Sequence, residues 1–169
     1  MNSMFLKFIL ILFVLFSIGF AGAIGKQFSS ILILPSIFIF LSYYVFKYLT
    51  KGKMTFITYA IIIQFAHILW MSISVIILYF SNYVSSLNSL YIDLLIVTIG
   101  LLWLYFKMGM APIIYMTIYQ VFSIVMNIMA FHMQTAALIL HLSFRIASIV
   151  LMIYGYLDFK KLKHNEASF

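Results

Sequence analysis

The chain has no cysteine, which excludes disulfides, cysteine-held iron–sulfur clusters, thiolate nucleophiles and thiol redox relays. Acids are nearly as scarce: the three are Asp93, Asp158 and Glu166. Only Asp93 lies well inside an apolar run, so no carboxylate pair is available there for acid–base chemistry. Charge of either sign is thin, at 8% of residues against 66% hydrophobic, with a mean hydropathy of +1.19. A soluble domain has too little interior to hide that much apolar surface, and lipid is the solvent that accepts it. Also missing are a phosphate-binding glycine loop, a His-Glu-x-x-His zinc motif, an Asn-x-Ser/Thr sequon and any convincing internal repeat.

Six apolar runs follow one another with short links, over about 4–24, 28–46, 54–80, 90–106, 111–131 and 135–157, and a basic tail fills 158–169. They predict one all-α domain, a polytopic membrane bundle of six spans with no soluble part. The ten basic residues give it an orientation. Lys7, the Lys47/Lys51/Lys53 group, Lys107 and the Lys160/Lys161/Lys163 tail fall on one side of the alternating spans, and only Lys26 falls on the other. Cytoplasmic loops keep their lysines and arginines, so both termini are expected in the cytoplasm. The net charge of +7 is then a consequence of topology. Without a basic stripe away from the span ends, nucleic acid is not an expected partner. The expected partner is the lipid bilayer, with a homo-oligomer or larger membrane complex beyond it, and the expected location is a bacterial inner membrane.

The first run also reads as a signal peptide, since Lys7, an apolar stretch and Ala21-Gly22-Ala23 fit that pattern, although the run is long for one. Ser17, Ala21 and Gly25 repeat every four residues and suit close helix packing. Pro35 falls inside the second run and Pro112 at the start of the fifth, where proline is tolerated. Tyrosines near the predicted ends, such as Tyr43, Tyr44, Tyr48, Tyr79, Tyr83, Tyr105, Tyr154 and Tyr156, form an anchoring belt.

Ionisable groups are expensive inside lipid, so His67, Asp93 and Arg145 each need a reason to be there. His67 lies fourteen residues from Lys53, Asp93 fourteen from Lys107, and Arg145 fifteen from Lys160. At ~1.5 Å per residue all three lie ~21–22 Å above the lysine level, and Gln120, thirteen residues from Lys107, joins the same layer. Helical spacing extends the pattern into stripes. Gln64, His67, Met71 and Ser74 form one; Thr117, Gln120, Ser123 and Asn127 a second; His141, Arg145 and Ser148 a third. On the fourth run Asp93, Val97 and Gly100 share a face, with Gly100 leaving room beside it.

Two readings account for this layer. In one, His67, Asp93, Gln120, Arg145, Gln64, Asn127 and His141 line a polar chamber through which a small polar or charged solute passes, with histidine as a proton-linked switch. In the other, Asp93 and Arg145 pair to fasten two spans, and the remaining polar groups are interhelical hydrogen bonds. No cofactor or metal is expected. The sharpest alternative, a b-type haem held by His67 and His141, suffers from a depth difference of ~7 Å between them, estimated from the helix rise. A membrane-embedded enzyme using His, Asp and Arg on a lipid-borne substrate is a further alternative, as is a non-catalytic subunit of a respiratory or secretory complex. In size and span count the chain resembles several small six-span groups, among them the substrate-binding subunits of energy-coupling-factor vitamin transporters. That likeness implies a fold and no residue roles.

Overall fold

Long apolar stretches without interior glycine or proline pairs favour helix, and helix alone satisfies the backbone of a single segment in lipid. The computed structural model describes residues 26–80, 87–129 and 135–166. It contains five α-helices: α1 (Lys26–Leu49), α2 (Phe56–Phe80), α3 (Leu87–Phe106), α4 (Met110–Met129) and α5 (Thr135–Glu166). They correspond to the second to sixth predicted spans. The first predicted span lies outside the described residues, together with its signal-peptide reading, its small-residue face and His132. Stretches of α2 (Phe56–Ile76), α4 (Met110–Met129) and α5 (Ile139–Lys160) are long and apolar enough to cross a membrane. Pro35–Leu49 and Leu90–Phe106 are shorter apolar helices. The protein is a helical membrane protein.

Local chemistry sets the helix ends. After α1, Lys51 and Gly52 take left-handed φ of 51° and 78°, and the Gly52 amide donates back to the Lys47 carbonyl at 2.9 Å. This is the pattern that ends helices with a left-handed residue. Thr55 then caps α2: its hydroxyl accepts from the Thr58 amide at 3.1 Å, while the Thr58 hydroxyl accepts from the Thr55 amide at 3.4 Å. Threonine here fills the position usually held by Glu or Gln in a reciprocal cap. α1 continues unbroken through Pro35. α5 runs nine residues beyond the predicted span end at 157 and takes most of the basic tail with it. Asp158-Phe159-Lys160-Lys161-Leu162-Lys163-His164 contains neither glycine nor proline, so nothing in it stops a helix.

α2, α3, α4 and α5 form a ring in which each packs on the next and α5 closes on α2; α1 lies outside, against α2. α2 is the most enclosed helix: Ile57, Tyr59, Ala60, Ile61, Ile62, Ile63 and Ala66 are all buried. That suits a helix apolar on most of its circumference, with Gln64 and His67 on its one polar stripe. α3 and α4 instead present Ile92, Leu95, Ile99, Ile118, Phe122 and Val125 outward, a surface fit for lipid.

Two glycines set close approaches. A Cβ on Gly155 of α5 would lie 2.5 Å from Ile57 Cγ1 of α2. The space beside Gly100, expected from the sequence, is filled by the Met116 side chain of α4, whose sulfur would be 2.0 Å from an added Cβ.

Candidate functional site

Nearly every side chain turned into the ring is apolar except at one level. There α2 contributes Gln64 and His67, α3 Asp93, α4 Tyr119 and Gln120, and α5 His141, Arg145 and Ser148. Spacing explains their convergence. Gln64 and His67 are three apart, as are Arg145 and Ser148, and His141 and Arg145 are four apart, so each set shares one helix face.

Arg145 is the hub and is fully buried. Its Nη2 donates to Asp93 Oδ2, joining α5 to α3 across the middle of the ring. Those two helices pack mainly on α2 and α4 rather than on each other, so the ion pair bridges a diagonal. Nη1 donates to Gln120 Oε1 of α4 at 2.8 Å, and Nη2 also meets His141 Nε2 at 2.9 Å. The guanidinium lies 5.9 Å from the Tyr119 ring centroid, within cation–π range. Asp93 in turn accepts the Tyr119 hydroxyl on Oδ1. It is the one charged member with appreciable exposure, 15% of its side chain. Guanidinium and carboxylate cancel each other's charge, the usual way a membrane interior holds such groups.

The two histidines continue the network. His67 Nε2 and His141 Nδ1 are 2.8 Å apart. His67 is held flat against Phe144, with centroids 5.0 Å apart and planes at 6°, and near-parallel to Trp70 at 6.2 Å and 20°. Their helix positions differ in depth, but the side chains reach across the difference and touch directly. Below them, Gln64 Nε2 donates to Ser148 Oγ, tying α2 to α5 once more.

Six of the seven residues singled out in the sequence meet here: Gln64, His67, Asp93, Gln120, His141 and Arg145. Asn127 does not. Its amide donates to the Ser123 carbonyl of its own helix at 2.8 Å. Thr117 and Ser74 likewise bond carbonyls one turn back in their own helices. Sequence reasoning missed Tyr119. It sits next to Gln120 and at the depth of the layer, and a phenol remote from any predicted span end was the available signal. Ser148 was on a recognised stripe but unassigned.

The network is incomplete in one respect. Among the described residues, five buried side-chain atoms have no hydrogen-bond partner: Ser42 Oγ, Gln64 Oε1, His67 Nδ1, Gln120 Nε2 and Arg145 Nε. Four of the five belong to this cluster. No family model, curated protein or solved structure matches the chain.

Proposed function

We propose that the protein is a transporter or channel for a small polar or charged solute, acting alone or as the membrane subunit of a transport system. In this reading it has six spans and both termini cytoplasmic, in a bacterial inner membrane. The observation that carries it is the spare hydrogen-bonding capacity of the polar layer. A network that only fastens helices gains by closing every donor and acceptor, because each open one costs about 1–3 kcal/mol. Here Arg145 Nε and the Gln120 amide offer donors and Gln64 Oε1 an acceptor, at the centre of a ring whose outside is apolar. Those are the groups a passing polar solute uses. An anionic group would compete with Asp93 for Arg145, and a cationic one with Arg145 for Asp93. Either exchange opens the diagonal bond between α3 and α5.

The orientation is supported by the ends of the helices. With the helices taken as alternating spans, the exposed Lys47, Lys51, Lys53, Lys107 and Lys160 fall on one side, the arrangement expected of a cytoplasmic face.

Flux tests the reading. Purified protein in proteoliposomes on a supported membrane, pulsed with ammonium, inorganic phosphate or free amino acids, is expected to give solute-dependent currents. Asp93→Asn and Arg145→Gln should each abolish them with the protein still inserted. Unchanged currents in both variants would sink it. One observation favours a second reading, a non-transporting subunit of a larger membrane complex: Asp93 and Arg145 already satisfy each other's charge. On that reading the same substitutions lower the amount of assembled complex.

A further inference from the structure

We propose that Asp93, His141 and His67 form a reversible one-proton shuttle, in which the two imidazoles change tautomer together. The inference deepens the transport reading and rests on it for its purpose, a two-state switch of whether His141 bonds Arg145 or Asp93 as a solute passes.

Arginine can only donate. With Arg145 Nη2 at 2.9 Å, His141 Nε2 accepts from it and carries no proton. The neutral ring then holds its proton on Nδ1 and donates it to His67 Nε2 at 2.8 Å. His67 in turn keeps its own proton on Nδ1, the buried atom that has no partner among the described residues. A second arrangement uses the same atoms. His141 Nε2 is also 3.4 Å from Asp93 Oδ2. When Nε2 carries the proton it donates to that carboxylate, Nδ1 becomes the acceptor, and His67 donates from Nε2 with Nδ1 bare.

Passing from the first arrangement to the second moves one proton. A proton delivered from water to Asp93 Oδ2 transfers to His141 Nε2. The Nδ1 proton of His141 moves to His67 Nε2. The Nδ1 proton of His67 leaves to a water molecule on the far side. No net charge remains on either ring, and each bond formed to hydrogen matches one broken. Among the described residues, the other ionisable groups around the pair are Arg145 from α5 and Tyr119 from α4. α1 brings Tyr43 against Tyr59, two turns along α2 from His67.

The packing makes this a shuttle and not a wire. A second proton can follow in the same direction only if both rings turn over, and His67 is stacked on Phe144 and lies near-parallel to Trp70. The pair therefore resets by returning a proton the way it came, so the protein does not leak protons continuously.

Solid-state NMR of the ¹⁵N-histidine-labelled chain in lipid bilayers tests this without reference to any solute. His132→Asn and His164→Asn leave the pair as the sole labels. The expected result is a nitrogen–nitrogen cross-peak across the hydrogen bond, with both rings always in the same tautomer, Nδ1–H on both or Nε2–H on both. Arg145→Gln, which replaces the charged donor of the first arrangement by a shorter neutral amide, should shift the population toward Nε2–H by roughly tenfold, the effect of one charge-assisted hydrogen bond. Asp93→Asn should shift it the opposite way. An absent cross-peak, permanently cationic rings, or populations unmoved by both substitutions overturn the shuttle. The unsubstituted pair decides the cross-peak and tautomer match even if a variant fails to fold. Solute currents alongside a frozen pair overturn the shuttle alone; a switching pair without solute currents supports the shuttle and removes the transport reading.

Discussion

At the scale of single residues, the costliest commitment is Arg145. It is fully buried and places its Nη donors on three residues, Asp93, Gln120 and His141. Removing one member of a buried ion pair strands the other, at a cost of about 3–5 kcal/mol, whereas replacing both by apolar groups is often neutral. Asp93→Leu and Arg145→Leu should each destabilise the bundle by about that much, and the double variant by less than either, a coupling read by unfolding in mixed detergent micelles. Additive losses would mean that the two charges do not depend on each other. His67, Asp93, Gln120 and Arg145 were legible in the sequence because lipid makes polar side chains conspicuous, and counting from flanking lysines put them at one depth. Tyr119 was missed for the opposite reason. A tyrosine in an apolar run scores as an aromatic, and only the neighbouring helix shows that its hydroxyl has a carboxylate to meet.

At the scale of helices, the contact between α2 and α5 decides whether the polar layer can form, since Gln64–Ser148 and His67–His141 both cross it. The helices come close at Gly155, where an added Cβ would lie 2.5 Å from Ile57 Cγ1 and 3.4 Å from the Ile57 amide nitrogen. Ile57 Cγ1 is bonded to the branched Cβ, and a helical isoleucine strongly prefers one χ1 rotamer, so it does not readily swing clear. Gly155→Ala should therefore cost about 1–3 kcal/mol, the usual penalty of overpacking. Ile57→Ala in the same chain should recover part of it, because it removes the clashing atom, and thermal unfolding in detergent would report both. No recovery would place the strain elsewhere. The existence of these helices was plain from hydropathy, but this contact was not. Gly100 looked equally open in the sequence, and its space is taken by Met116. Which glycine admits a backbone and which a side chain depends on the partner helix, and spacing along one chain says nothing about that. The extension of α5 to Glu166 shows a different blind spot: apolar content marks where a span stops, whereas a helix stops only where capping or backbone chemistry ends it.

At the scale of the whole molecule, the ring is what turns isolated polar residues into a layer. Four helices of mostly apolar outer surface enclose one polar level, the inverse of a soluble bundle. Neighbour order in that ring was not readable beforehand, because stripes show which face of a helix is polar and not which helix it meets. The proposed sidedness rests on the lysines, and the absence of cysteine makes it directly testable. Any introduced cysteine is the sole thiol in the chain. Lys51 and Lys107 are both exposed between helices, and the proposed topology puts them on one side. In intact cells neither Lys51→Cys nor Lys107→Cys should react with a membrane-impermeant maleimide, and both should react in inverted vesicles; Ser85→Cys in the 81–86 link should show the reverse. Labelling of Lys51→Cys and Lys107→Cys from opposite sides would break the alternation of α2 and α3. Labelling of both from outside would keep the ring and invert it, placing the lysines where the positive-inside bias forbids them. Alternation of the spans sets which residues share a side, and the lysine bias predicts which side it is, so the two errors would be separately visible.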